Sequence, residues 1–330
     1  MQNQQNHTPL QETQPLITFI IAYYNLPLEM LYECIDSILA LSLSRNEREI
    51  IIVDDGSRNS CASSLTLYND DIIYVRQRNM GLSEARNTGI KMASGKYLQF
   101  VDADDKLLHE AYDYCIGIAR SEQPEMICFD FSHTTAQPAA IQHSKTVKGT
   151  FFMRHNNIHG AACGYMFLRS ILGKLRFTPG IYHEDEEFTP LLMLRAETLC
   201  TTNAKAYFYR QRKDSIVSNN DIRHCMKRLR DLKGVISRLN YIADHRPIDD
   251  RTALQRRIAQ LTMDYLYQII IQNQSYHYLE RKITELRKEG LFPLPEQDYT
   301  RKYTWFRRLT ATTVGRRALI RVIPLMNKER

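Results

Sequence analysis

R-N-M-G-L-S-E-A-R-N-T-G-I-K-M-A-S-G-K-Y-L-Q-F-V-D-A-D-D-K, residues 78 to 106, decides how this chain of 330 residues folds. Its middle, Leu82 to Met92, predicts a short helix closed by Ser94-Gly95, with the glycine in left-handed backbone. Tyr97 to Val101 is an apolar and aromatic run that predicts a buried strand. That strand leads straight into Asp102-Ala103-Asp104-Asp105. Carboxylates crowded at a strand end repel one another, and a hard cation is the readiest way to hold them together. Ligands of open α/β sheets bind beyond the carboxyl ends of the strands, so the chemistry is expected at this turn.

The same pattern extends outward on both sides. Leu16 to Tyr23, Glu49 to Val53, Ile72 to Val75 and Met126 to Phe131 read as further buried strands, with helices over Leu28 to Leu41, 61–68 and 107–121 between them. Such alternation implies right-handed crossovers and a mainly parallel sheet. Loops Tyr24-Asn25, Asp54-Asp55, Asn79 to Gly81 and Asp102 to Asp105 then share one edge and line one cleft. Residues 1–15 read as a flexible leader, 16–220 as the α/β domain, and 132–148 as a mobile connection within it. Beyond Asp221 the spacing is helical: Met226, Leu229, Leu232, Ile236 and Leu239 share a face, as do Leu254, Ile258, Leu261, Tyr265 and Ile269. Residues 221–330 are therefore a helical extension.

Hydrophobic residues make up 43% and charged residues 25%, which excludes a disordered or fibrous chain. The start lacks a basic segment followed by an apolar one, and no apolar run approaches the ~18 residues of a membrane span. A cytoplasmic protein, or one resting on the inner face of the cytoplasmic membrane, is expected. Seven cysteines without a C-x-x-C pair argue against a disulfide framework or a zinc site. The net charge of +7 is concentrated at the end: residues 301–330 hold nine Lys/Arg and one acid, Glu329, leaving the rest near neutral.

Six segments together resemble the family 2 inverting glycosyltransferases of the GT-A fold. They are I-I-A-Y-Y-N (20–25), I-I-V-D-D-G-S (51–57), R-N-M-G-L-S-E-A-R-N-T-G (78–89), G-K-Y-L-Q-F-V-D-A-D-D (95–105), H-E-D-E-E-F (183–188) and Y-F-Y-R-Q-R-K-D-S-I (207–216). The resemblance implies a GT-A catalytic domain that moves a sugar from a nucleotide-diphosphate donor to a hydroxyl of a glycan or lipid-linked acceptor in bacterial surface polysaccharide synthesis. It implies that Tyr24 stacks on the base and that Asp55, beside Asp54, accepts a base N–H, which suits a UDP-sugar. Asp102 and Asp104 match the D-x-D motif, with Asp104 on Mn2+ or Mg2+ and Asp102 on the ribose or a metal-bound water. Arg86 and Asn79 would face the donor, and Arg210 or Arg212 would clamp the diphosphate. Inversion by one in-line displacement also needs a base for the acceptor's proton, and the matching residue is Asp185, with Glu184 as the rival. Where many relatives carry Trp-x-Lys ahead of this motif, the chain has Cys163-Gly164-Tyr165-Met166.

Plainer readings apply to several of these residues. Asp105 suits a cap for the next helix, and the acids at 184–187 suit the first turn of a helix beginning near Glu186. His155 and His159 have metal-like spacing but no third ligand between them, and Tyr207 and Tyr209 read as packing residues. The basic tail reads as a membrane-surface anchor, with Trp305, Leu319, Ile320, Val322 and Ile323 toward the acyl boundary of an anionic bilayer; no nucleic-acid partner is expected. A sugar nucleotidyltransferase is one rival, but it needs a glycine-rich loop where this chain has Tyr23-Tyr24-Asn25-Leu26-Pro27. A non-catalytic binding module is the other, and intact Asp102, Asp104 and Asp185 stand against it.

Overall fold

The structure is a computed structural model that describes residues 14–212 and 221–328. The first half alternates strands and helices: β1 (Ile17–Tyr23), α1 (Leu28–Leu39), β2 (Arg48–Asp54), β3 (Ile72–Arg76), α2 (Leu82–Met92), β4 (Tyr97–Asp102), β5 (Lys106–Leu107), α3 (His109–Ser121) and β6 (Met126–Ser132). Residues 62–68 form a 3-10 helix between β2 and β3. There follow α4 (Gly149–His155), β7 (Tyr165–Leu168), α5 (Arg169–Leu172), α6 (Glu184–Met193) and β8 (Leu199–Phe208). The extension is five helices, α7 (Ile222–Asp244), α8 (Ile248–Asn273), α9 (Tyr276–Lys288), α10 (Arg301–Ala311) and α11 (Thr313–Lys328).

Among the described residues, eight strands form one mixed sheet in the order β3-β2-β1-β4-β7-β6-β8-β5. The β3-β2-β1-β4 block is parallel, as is β6 with β8, while β7 runs antiparallel to both β4 and β6. Side chains alternate across the strands. Ile17, Phe19, Ile21 and Tyr23 of β1 pack with α1 and α3, whereas Ile20, Ile51, Val53 and Phe100 face α2, α6 and the extension. Covering both faces explains why these strands are apolar throughout. The second core is continuous from Ile20 to Ile323, so the extension shares its packing with the sheet.

Several expectations are corrected. Helix α2 ends at Ala93 in extended backbone, and Gly95 is not left-handed. Gly95 is instead required by space, since a Cβ there would meet Thr18 Oγ1 at 2.5 Å and Thr18 N at 2.7 Å. Residues 132–148 are pinned along β8 through bridges from His143 to Thr202 and from Val147 to Leu199, and the His143 ring lies 2.8 Å from Tyr114 Oη. The acids at 184–187 do form a first helical turn, but it begins at Glu184. His155 closes α4 and His159 lies beyond it against Phe131, so the two share no helix face. The tail's apolar residues divide: Leu319 and Ile323 are buried in the core, while Trp305, Val314, Val322 and Leu325 are exposed.

Candidate active site

The register of the sheet brings the strand ends level. Ala22 pairs with both Val53 and Asp102, and Asp54 pairs with both Tyr23 and Arg76. Tyr24, Asp55, Gln77 and Ala103 therefore leave the sheet along one edge. Tyr24 is 49% exposed there, open to a planar ligand. Asn25 links two loops, accepting from Arg58 N at 2.8 Å through its side chain while its own N–H donates to Ser57 Oγ.

The two aspartates after β2 differ. Asp54 is fully buried, accepting from Ser57 N at 2.8 Å and from Tyr74 Oη at 2.7 Å. Both of its oxygens are committed beneath the loop, where they build the turn. Asp55 gathers the 77–81 loop: Gln77 Nε2 and Met80 N donate to one oxygen, and Gly81 N donates to the other at 2.7 Å. A carboxylate offers about four acceptor positions, so three donors leave one for a ligand N–H. Gly56, with φ +74°, lets the exposed Asn79 lie close, since a Cβ there would stand 2.6 Å from Asn79 N.

Arg86 joins the two acidic segments. Its guanidinium is 2.9 Å from Asp102 Oδ1 through Nη2 and 2.9 Å from Glu184 Oε1 through Nη1, with the rings of Phe177 and Phe100 beside it. Burial opposes its charge, but Asp102 and Glu184 outweigh that and hold its pKa above the ordinary arginine value. Arg86 is buried and holds acids that border the cleft. Asp105 does not cap α3. It is buried, accepts from Tyr207 Oη at 2.9 Å and from Arg210 N at 2.8 Å, and is pushed up to about 8 by burial and by the charge of Asp102. Tyr207 Oη also accepts from Asp102 N, so one phenol fixes both ends of the turn.

Asp104 pairs through Oδ2 with Arg212 Nε at 2.6 Å. Arg210 Nε donates to the Asp104 carbonyl at 2.8 Å, and its Nη2 reaches Glu33 of α1 at 2.5 Å. Both arginines thus stand at the turn. Lys213 to Asn220, including the rest of the last quoted motif, lies outside the described residues. Asp102 and Asp104 fit an Mg2+ or Mn2+ ion, because each gives one oxygen to an arginine and leaves the other without a partner among the described residues. Such ions take one or two carboxylates and complete their shell with phosphate oxygens and water. No cluster of three His, Cys, Asp or Glu side chains suits a metal among the described residues, so the phosphate contribution is essential to that fit.

Helix α6 begins at this cleft with His183 left-handed at φ +64°. Glu184 holds Arg86, Glu186 holds Arg257, and Glu187 takes Arg238 in a two-pronged contact at 2.7 and 2.9 Å. Asp185 alone of these four acids has no ion pair among the described residues; it accepts from Glu186 N at 2.8 Å. Burial, then the charges of Glu184 and Glu186, push its carboxyl up to about 8. A carboxylate so poised is suited to taking a proton near neutral pH.

Glu33, Gln77 and Tyr207 were not anticipated as builders of this site. Their contacts reach across 177, 22 and 102 positions of sequence, with no local pattern to announce them.

Residues 18–176 match the family model described as Glycosyl transferase family 2. The chain is 27% identical over 219 residues to glycosyltransferase GlyA of Streptococcus pneumoniae serotype 4, a match covering 61% of this chain and 31% of that protein. It spans less than two thirds of the length of the curated relatives that it matches. The solved structure of S. aureus TarS 1-349 in complex with UDP-GlcNAc is similar with a TM-score of 0.64 at 15% identity, over 95% of this chain and 92% of that one. Mannosyltransferase PcManGT from Pyrobaculum calidifontis, in complex with GDP-Man and Mn2+, has a TM-score of 0.58 at 15% identity, over 96% and 88%. At these identities the two structures speak for the fold.

Proposed function

We propose that this chain, whose residues 18–176 match the family model described as Glycosyl transferase family 2, transfers one sugar, with inversion, from a nucleoside-diphosphate sugar to a hydroxyl of a glycan or lipid-linked acceptor. The observation that carries the proposal is Arg86, which draws the Asp102 turn and the Glu184-Asp185 helix end onto one cleft. The donor is a UDP-sugar: Tyr24 offers a face for the base, and the acceptor position left on Asp55 suits the ring N–H of uracil. The UDP-GlcNAc held by TarS supports that class of donor.

Asp185 takes the proton of the acceptor hydroxyl while the hydroxyl oxygen forms a bond to the anomeric carbon. The bond from that carbon to the donor diphosphate breaks on the opposite side, and the diphosphate leaves with the electron pair. Asp102 and Asp104 would hold Mn2+ or Mg2+, which when bound would supply neutralisation of the charge on the departing diphosphate. Arg212 and Arg210 stand where they can turn from acidic partners to that diphosphate, and Glu184 keeps Arg86 in place. Helix α11 exposes Val314, Ala318, Val322 and Leu325 with Arg317 and Arg321 among them. These residues form a surface suited to an anionic membrane.

The test is turnover. UDP-, GDP- and dTDP-sugars are incubated with a glycan acceptor, nucleoside diphosphate release is followed, and the product's anomeric proton is read by NMR. Acceptor-dependent release of UDP with an inverted linkage is expected. A retained linkage, or no release from any donor, defeats the proposal.

A further inference from the structure

A groove of about 350 Å3 runs along α6, between that helix and residues 174–178. Glu184, Glu187 and Leu191 share one face of the helix and form its wall, Arg195 follows just past the helix end, and Lys174 and Arg176 form the other bank. The acids are already neutralised, Glu184 by Arg86 and Glu187 by Arg238. The cations are not. Arg195 donates to the carbonyls of Ile171 and Leu172, and Arg176 to those of Gly173 and Leu175. Neither they nor Lys174 has a carboxylate ion-pair partner among the described residues. Carbonyl contacts hold a guanidinium in position without cancelling its charge, so this end of the groove is strongly positive.

Its place in the fold separates these cations from the donor's diphosphate. Arg169 donates from its N–H to the Lys96 carbonyl and from Nε to the Gly95 carbonyl, which sets α5 and Gly173 beside the start of β4. Asp102 is at the other end of that strand, five residues from Tyr97 and so about 17 Å from where β4 begins at about 3.3 Å per residue. A ligand that reaches both must be extended.

We propose that this groove is an acceptor track: the acceptor is a phosphodiester-linked chain whose reacting hydroxyl lies at Asp185 and whose phosphates lie over Lys174, Arg176 and Arg195. The proposal rests on the glycosyltransferase reading of the cleft. A lone phosphate next to the reacting sugar does not span the distance, whereas a polymer that repeats its charge does.

The test titrates a synthetic glycerol-phosphate hexamer, neutral maltohexaose and farnesyl diphosphate into the protein and its Lys174→Glu/Arg176→Glu variant, with UDP titrated into each as a check on the cleft. The hexamer is expected to bind the wild type, to weaken at least tenfold in the variant, and to weaken as sodium chloride rises from 50 to 500 mM, while maltohexaose binds neither. Equal hexamer binding by both proteins, equally tight maltohexaose, or a salt-independent affinity overturns the track. Binding of farnesyl diphosphate without the hexamer overturns it in favour of a lipid diphosphate. If the variant unfolds, the wild-type salt series decides alone. Hexamer binding by a protein that takes no nucleotide leaves the groove standing and removes the glycosyltransferase reading; UDP binding without hexamer binding does the reverse.

Discussion

Replacing Arg86 with methionine isolates the contact on which the cleft depends. Arg86 is 4% exposed and holds Glu184, whose side chain is 10% exposed, and Asp102, 30% exposed, each at 2.9 Å. Methionine keeps the apolar packing against Phe100 and Phe177 and removes the charge. Deleting one partner of a buried pair costs about 3–5 kcal/mol, because the other charge stays buried and unmatched. Water reaches Asp102 more readily, so most of that penalty falls on Glu184. Arg86→Lys retains a charge but cannot span both acids, and losing one charged hydrogen bond costs about 1.5–3 kcal/mol. Chemical denaturation should rank wild type above lysine above methionine, and the methionine variant should melt about 6 °C lower or more, at roughly 2 °C per kcal/mol. Adding Glu184→Gln removes the stranded charge and should recover at least half of the loss. A methionine variant within about 1 kcal/mol of wild type, or a double variant weaker than the single, refutes the reasoning.

Gly56→Ala places a Cβ 2.6 Å from Asn79 N at a left-handed position, which alone costs about 1–2 kcal/mol; lower stability with weaker UDP binding is expected, and unchanged binding sinks the role given to the 77–81 loop. Burial and the neighbouring acids push the Asp185 carboxyl up to about 8, and as a base it must be ionised, so kcat should rise with pH toward that value and level off above it. Stability moves the opposite way: a carboxyl raised on folding binds its proton more tightly in the native state, so its contribution is full below the unfolded pKa and is lost as pH rises through about 8. A flat rate profile between pH 6 and 9 counts against Asp185 as the base, and Asp185→Asn should abolish turnover while leaving UDP affinity intact. Val322→Glu with Leu325→Glu should abolish flotation with phosphatidylglycerol vesicles without changing UDP binding; retained flotation removes α11 from the membrane surface.

Local signals carried the strands and their order of appearance. The apolar runs of β1, β2 and β4 lie within a residue or two of where periodicity puts them, because burial on both faces leaves little choice of residue. The joining of the aspartate turn to the acids of α6 was legible only through resemblance, since nothing between Asp102 and Glu184 in sequence declares that one arginine will hold both. Asp54 and Asp55 look alike as neighbours, yet successive side chains leave a strand in opposite directions, and one is sealed beneath the loop while the other organises it. The tail was misjudged for a related reason. Hydrophobicity counts apolar residues without saying which face meets α8 and α9, and Leu319 and Ile323 went inward.

The most direct measurement is calorimetric titration of UDP into the protein with and without Mn2+, repeated with Asp104→Ala. Saturable binding that requires the metal and is lost in the variant is the predicted result, because Asp104 offers an oxygen to the cation and the cation needs phosphate to complete its shell. UDP binding indifferent to both Mn2+ and Asp104, or no binding of UDP at all, contradicts a metal-assisted uridine-diphosphate site at the Asp102 turn.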